Sequence, residues 1–259
     1  MILRRLSQSL KEQNWMAIAI EFVLLVLGVF LGIQVANWNQ KLADALLGQE
    51  YVMRLKSDLE KDLASRRDLI AYYAAVLESI ERTDALLADP VSDAKTLVFN
   101  AYRATEINFR APTRATWDEI VSTGDTGLLP RDVVVSAGEY FAFDTARNHL
   151  DILNVSAYRH RVRTIIPLSM QQALRAGCSD LRDGTQQITG FMTDCSIDMS
   201  PQVIEATAAD LRADPVVLAE LRHQYSDVYS AHANISGDAE VIRKALSSLA
   251  NAGENREAR

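Results

Sequence analysis

The 259-residue sequence has few residues that interrupt helices: eleven glycines and six prolines, roughly half their usual combined share. This scarcity predicts long helices, and no run of alternating apolar and polar residues predicts a strand. Basic residues are outnumbered by acidic ones, 27 to 34, and the formal charge of −7 disfavours binding of nucleic acid through bulk charge. Hydrophobic residues make up 48%, too many for a disordered chain. We therefore expect an ordered, mainly helical protein without a nucleic-acid partner.

Motifs that carry chemistry are also missing. The sequence contains no P-loop, no Gly-x-Ser-x-Gly elbow and no dinucleotide-binding fingerprint. Its four histidines form no pair at the His-x-x-x-His or Glu-x-x-His spacing that typically binds a metal. We predict a protein that is not an enzyme, with no catalytic residues, no cofactor and no metal site.

One long apolar run is present near the N-terminus. In residues 16–36 only Glu21 and Gln34 are polar, and the run is long enough for about 30 Å of helix. Trp15 and Trp38 flank it, as expected of anchors at the two membrane interfaces. A signal peptide is the alternative, but Gln34 is too bulky for the position three residues before a cut after Ala36. We predict an uncleaved, single-pass transmembrane helix.

Charges on either side of this run predict its orientation. Arg4, Arg5 and Lys11 precede it, whereas Lys41 is the only basic residue among the first fifteen after Trp38. The positive-inside rule places the N-terminus in the cytoplasm and the rest across a bacterial inner membrane, in the periplasm. The predicted division is a basic cytoplasmic segment (1–14), a transmembrane helix (15–38), a stalk helix (39–88), an all-α periplasmic domain (89–252) and a flexible tail (253–259).

The two cysteines suit an oxidising compartment. Cys178 and Cys195 flank a polar segment, and a disulfide between them would close a loop worth about 3 kcal/mol in the chain-entropy model. Two unrelated free thiols are the alternative. We predict the disulfide.

Beyond the anchor, the apolar spacing predicts an all-α fold: a long stalk helix followed by an antiparallel helical bundle. Residues 42–87 show heptad character and predict either a coiled coil or the first helix of the bundle. Further helices are predicted at 93–104, at 116–122 with Thr113 as a cap and Gly124 as terminator, at 133–176 with a kink at Pro167, from Ser200-Pro201, and at 216–252 with a possible interruption at Gly237.

Glu21, Gly28, Gly32 and Ala36 share one face of the predicted transmembrane helix. A carboxylate is costly in hydrocarbon, and a small-x-x-x-small spacing lets two helices approach closely, so we read this face as a helix–helix contact surface. Two alternatives stay open. Glu21 can snorkel alone to the headgroups beside ordinary glycines, or it can serve a proton- or ion-coupled role.

Two segments resemble a bacterial family of single-pass inner-membrane proteins that carry a domain of unknown function. The stretch from Glu21 to Asn39 resembles the family's anchor, with its acidic residue, its glycine and a Gln-x-x-Asn-Trp-Asn ending. The stretch from Thr116 to Leu129 resembles its second motif, a helix that ends in Ser/Thr-Gly-Asn/Asp before two leucines. The resemblance implies that Gln34 belongs to the contact face and that Asn37 joins Trp15 and Trp38 as an interfacial anchor. It implies no activity.

Three functions are compatible with these features. The first is a non-catalytic scaffold or accessory subunit that contacts membrane lipid and associates with further copies or with another inner-membrane protein. The second is a periplasmic ligand-binding or sensing module, which would need a partner to relay its signal because the predicted cytoplasmic segment is too short to form a domain. The third is an ion- or proton-coupled membrane component that uses Glu21.

Overall fold

The structure is a computed structural model that describes residues 15–192 and 195–257, with side chains described for residues 19–192 and 195–251. The predicted cytoplasmic segment, residues 1–14, lies outside the described residues. The fold is all-α, as predicted. The helices are α1 (Trp15–Ala88), α2 (Ala94–Arg103), α3 (Ala115–Thr123), α4 (Arg131–Ala142), α5 (Thr145–Asn154), α6 (Ala157–Ile165), α7 (Leu168–Gly177), α8 (Pro201–Ala213) and α9 (Val217–Glu257), with a 3₁₀ turn at Asp125–Leu128.

Helix α1 contains the apolar run. It continues without a break for 74 residues, as the lack of proline and the single Gly48 after the run predict. One segment of it is long and apolar enough to cross a membrane, with a mean hydropathy of 2.4 over its best window and none of that window buried. By length and composition, α1 is therefore a candidate single membrane span.

Short polar side chains fix where several helices begin. Asp93, Asp144, Ser156 and Ser200 each accept a hydrogen bond from a backbone N–H of the first turn that would otherwise have no partner. Gly124 ends α3 in the left-handed conformation (φ 82°), which glycine adopts without strain, as predicted. Thr113 does not cap α3: the N-cap residue is Arg114, and Thr113 bonds instead to Asp62.

The single helix predicted over 133–176 is wrong. This stretch forms α4 to α7, separated near Phe143, near Val155 and before Pro167. Asp144 and Ser156 explain two of the breaks, because each accepts a backbone hydrogen bond and starts a new helix where the apolar spacing alone would continue the old one.

The cysteine segment contains a strand pair that the sequence analysis did not predict. β1 (Asp180–Arg182) and β2 (Ile188–Phe191) form a small antiparallel hairpin. Asp183 accepts hydrogen bonds from the backbone N–H groups of Thr185 and Gln187 and so closes the connecting turn. The two strands have only three and four residues, so they show no alternation of apolar and polar residues that would predict them from the sequence.

The last helix is longer than predicted. α9 passes through Gly237 without interruption, and it continues to Glu257, past the predicted end at Ala252. Residues 253–257, assigned to a flexible tail, are therefore helical in backbone, and residues 258 and 259 lie outside the described residues.

The chain divides into two compact units, one ending at Tyr51 and the other beginning at Val52. The part of α1 from Val52 onward therefore belongs to the same compact unit as the later helices. Within the bundle, α9 packs against α4, α5 and α6, and α2 packs against α8. The main core cluster draws on α1, α2 and α5 to α9 and includes Leu69, Tyr73, Val76, Leu97, Leu153, Tyr158, Met170, Leu221 and Ile235.

Candidate functional site

The predicted contact face lies on the surface of α1. Glu21, Gly28, Gly32 and Ala36 are all exposed, and at about 100° per residue they fall within roughly 80° of arc. A Cβ placed on either glycine would meet no atom within 4 Å in the part of the chain that the structure describes. Packing within the described part of the chain therefore does not require glycine at either position. The two glycines leave a shallow groove on the surface of α1.

Gln34 does not lie on this face. It is thirteen residues from Glu21, so at about 100° per residue it projects roughly 140° away. Asn37 is also on that other side, and Trp38 is exposed, as an interfacial anchor would be. The side chain of Trp15 lies outside the described residues.

The two cysteines are neighbours in the fold. Cys178 is buried directly after α7, Cys195 is half-buried, and the Cys195 thiol donates a hydrogen bond to the carbonyl oxygen of Met192 at 3.4 Å. Burial, together with the Cys195 sulfur, raises the pKa of the Cys178 thiol to about 12. Both are free thiols in this structure, and the disulfide remains a prediction. A Cβ on Gly177 would lie 1.7 Å from the carbonyl oxygen of Ser196, so glycine is required for this close approach.

Arg103 binds both ends of the cysteine segment. Arg103 is 4% exposed, and its guanidinium donates hydrogen bonds to the carbonyl oxygens of Cys178 at 3.0 Å and Met192 at 3.3 Å. It also stacks on the ring of Phe191, 4.0 Å from the ring centroid, and lies 3.9 Å from a carboxylate oxygen of Asp180. One side chain from α2 thus holds the base of the hairpin against the bundle without a covalent link.

A polar cavity of about 180 Å³ adjoins this clamp. Arg103, Arg175, Glu106 and Asp180 are among its lining residues. Burial raises the pKa of the Glu106 carboxyl, and Arg163, 3.2 Å away, opposes that rise. Since the positive charges of the arginines and the negative charges of the carboxylates largely neutralise one another, we infer that this cluster holds the hairpin in place.

A second polar network joins α1 to α4 and α9 inside the bundle. Arg66 is 1% exposed and donates hydrogen bonds to the hydroxyl of Tyr140 and the carbonyl oxygen of Arg110, both at 3.0 Å. Its Nε lies 3.6 Å from Asp238. Asp62, one turn before Arg66 on α1, accepts hydrogen bonds from Tyr140 at 3.0 Å and from the backbone N–H and hydroxyl of Thr113. Each buried charge in the network has a charged or polar partner.

An open groove of about 520 Å³ lies between α5, α6 and α9. Its walls are mainly apolar, with Ile152 and Val155 on one side and Ala219 on the other. Gln224 and His223 contribute polar groups to it, and Gln224 is held by Ser156 and by the carbonyl oxygen of Ala104. An apolar cleft of this size with a few polar groups is typical of small-molecule sites.

Arg66, Arg103 and the groove could not be predicted from the sequence. The partners of Arg103 lie 75 and 89 residues away, and Tyr140 is 74 residues from Arg66, so no local spacing reveals them. The available signal was weak: Arg66, like Gln49 and Lys56, sits on the largely apolar stripe of residues 42–87. Among the described residues, no three His, Cys, Asp or Glu side chains are grouped to hold a metal ion.

No protein-family model, no curated protein and no solved structure matches this chain. The assignment of function therefore rests on the molecule itself.

Proposed function

We propose that this protein is a non-catalytic scaffold or accessory subunit, anchored in the bacterial inner membrane by α1. In this proposal the N-terminus is cytoplasmic and the helical bundle is periplasmic. The observation that carries it is the candidate span, an 18-residue window of mean hydropathy 2.4 with no part buried in its own fold. Such a surface needs lipid or another helix around it.

The polar and small residues of the span support association over simple anchoring. A carboxylate in hydrocarbon costs at least about 2.5–3.5 kcal/mol, and such residues usually face protein or water. Glu21 shares its face of α1 with Gly28 and Gly32, where a second helix can approach closely. This combination favours a helix partner over an anchor that contacts only lipid.

Purification from native membranes in mild detergent, with mass spectrometry of the co-eluting proteins, tests the proposal. We expect an assembly larger than one chain, and we expect Gly32→Leu to weaken it. Val26→Leu is the matched control, because Val26 lies about 140° away from Glu21. A monomer with no partner, unchanged by Gly32→Leu, would overturn the proposal.

A fusion experiment tests the orientation separately. A reporter that matures only in an oxidising compartment should be active after Asn251 and inactive at Met1. The reverse pattern would contradict the periplasmic placement and leave the association proposal to its own test.

The groove between α5, α6 and α9 favours a second candidate function, a periplasmic ligand-binding module that signals through a partner. Its volume of about 520 Å³ lies in the range of small-molecule sites. An environment-sensitive anilinonaphthalene dye should bind the folded protein, and Ala219→Leu, which narrows the groove, should weaken that binding. Equal dye binding by both proteins would remove this candidate.

A further inference from the structure

A stripe of exposed residues with regular spacing runs along α1 through and beyond the apolar segment. Its members are separated by alternating steps of four and three residues, and every one is exposed in the structure. They are Glu21, Leu25, Gly28, Gly32, Val35, Asn39, Leu42, Leu46 and Gln49. This is the a/d spacing of a coiled coil, in which each step keeps the stripe facing the same neighbour.

Lipid cannot cover the whole stripe. Leu42 and Leu46 are 55% and 59% exposed and lie about 6 and 12 Å beyond Trp38 along the helix, past the end of the apolar run. At the level of Leu42 along the helix, the opposite side of α1 is polar and carries Lys41 and Asp44. α1 has no break here, so this amphipathic part cannot turn to lie flat on the membrane surface. Another helix is needed to cover Leu42 and Leu46.

The residues in and beside the stripe fit a second copy of this chain. Asn39 occupies an a position, where a single polar residue fixes the register and number of strands in parallel coiled coils. A partner in the same register places an identical amide opposite it, and each amide can both donate and accept a hydrogen bond. Two copies inserted in the same membrane are also parallel by necessity.

Beyond Glu21, the charged side chains and most of the flanking side chains leave room for this pairing. From Gly28 to Gln49 the charged side chains are Lys41 and Asp44, and both lie on the far side of α1. Three of the four positions that flank the stripe nearest Asn39 are alanines, Ala36, Ala43 and Ala45, so two helices can approach closely there; the fourth is Trp38, the interfacial anchor. At the membrane-buried end of the stripe, the Glu21 side chains of the two copies would lie opposite each other.

We propose that two copies of this chain pair in parallel and in register along the stripe from Glu21 to Gln49, with their Asn39 side chains bonded to each other at the membrane boundary. The proposal rests on the scaffold function above and names its first partner. In this proposal the basic unit of the assembly is a dimer of this chain, and any further protein would bind to that dimer.

Single-cysteine cross-linking in native membranes tests the pairing. In a chain carrying Cys178→Ser and Cys195→Ser, the variants Leu42→Cys and Leu46→Cys place one thiol on the stripe, and Lys41→Cys and Asp44→Cys place one on the far side. On mild oxidation we expect the stripe variants to form disulfide-linked pairs at least roughly tenfold faster, because a disulfide needs the two Cβ atoms within about 4.5 Å. Equal rates on the two faces would overturn the proposal.

Asn39 variants in the chain with its native cysteines give an independent measurement. Asn39→Leu should change a single dimeric species into a mixture of oligomers, and Asn37→Leu, on the far side, should leave the dimer unchanged; native mass spectrometry in detergent reads both. An unchanged dimer in Asn39→Leu would overturn the role of Asn39.

The outcomes also separate this proposal from the scaffold function. Cross-links from the stripe to a different protein, with none between copies, would overturn the self-pairing and support the scaffold function. Absence of any adduct, together with a monomeric mass, would overturn both.

Discussion

The guanidinium of Arg66 on α1 donates a 3.0 Å hydrogen bond to the hydroxyl of Tyr140 on α4, and both residues are buried. The same hydroxyl donates to Asp62, also at 3.0 Å. Tyr140 thus lies between a buried cation and a buried anion and links the two. This relationship joins the second half of α1 to a helix 74 residues later in the chain.

Tyr140→Phe should destabilise the bundle by about 1–3 kcal/mol, because it removes one partner from each of two buried charges and leaves the packing of the ring intact. Denaturant unfolding of the detergent-solubilised protein measures the change. Tyr229→Phe is the matched control, since Tyr229 is exposed on α9. A loss no larger than that of the control would show that Arg66 and Asp62 are satisfied without Tyr140.

Arg103→Lys should loosen the cysteine segment. A lysine keeps the charge but cannot span the carbonyl oxygens of Cys178 and Met192 while stacking on Phe191. We expect faster amide hydrogen exchange and faster proteolysis within residues 179–192, with α9 unaffected. Arg175→Lys provides the comparison, because Arg175 lines the same cavity but bonds to Tyr102. Identical exchange in the two variants would contradict the clamp.

The cysteines should form a disulfide when the protein is exported. Oxidation by a disulfide-exchange protein transfers two electrons from the Cys178 and Cys195 thiols, and the loop closure should stabilise the fold by about 3 kcal/mol. Non-reducing electrophoresis and intact mass measure the bond in protein purified from membranes. Gly177→Ala should slow its formation, because the added methyl group would overlap the carbonyl group of Ser196. Two free thiols in exported protein would make the disulfide prediction wrong.

Local signals predicted much of the fold. The absence of proline after Trp15 gave α1 its length, Gly124 ended α3, and Ser200-Pro201 began α8. At Gly124 and at Ser200-Pro201 the signal and its effect lie within one turn of helix.

The features that could not be predicted have two causes: competition between helix continuation and side-chain capping, and contacts between residues far apart in the sequence. Apolar spacing continues across Asp144 and Ser156, and only the folded structure shows that their side chains cap new helices. Arg66 and Arg103 looked like solvated charges because their partners come from other helices. The candidate contact face was visible in the sequence because Glu21, Gly28 and Gly32 lie on one helix, whereas the groove needed three helices to be assembled.

Glu21→Gln distinguishes the structural role of Glu21 from an ion-coupled one. A glutamine keeps the size and the hydrogen bonds of a protonated carboxyl but cannot release a proton. If Glu21 serves association, the dimer and its stripe cross-links should persist, and the cellular phenotype of the wild type should be restored in a deletion strain. Glu21→Leu, which removes the hydrogen bonds, should weaken the dimer. Loss of function in Glu21→Gln with assembly intact would favour the ion-coupled alternative.

Acidification should weaken the bundle through His149. This side chain is buried between α5 and α9, with Nε2 3.0 Å from Asn234 Nδ2, and burial lowers its pKa below the ordinary value. Above the unfolded-state value of about 6.5 the ring is neutral in both states and its contribution is complete. As the pH falls below that value the unfolded chain binds a proton that the folded chain does not, so stability decreases with falling pH.

Thermal unfolding between about pH 5 and 8 measures this slope. His149→Gln keeps a hydrogen-bond acceptor for Asn234 but does not titrate, so its unfolding midpoint should depend less on pH than that of the wild type. His160→Gln, at an exposed site on α6, is the control and should keep the slope of the wild type. If His149→Gln retains the full slope, the acid sensitivity belongs to other groups and His149 is protonated without cost to the fold.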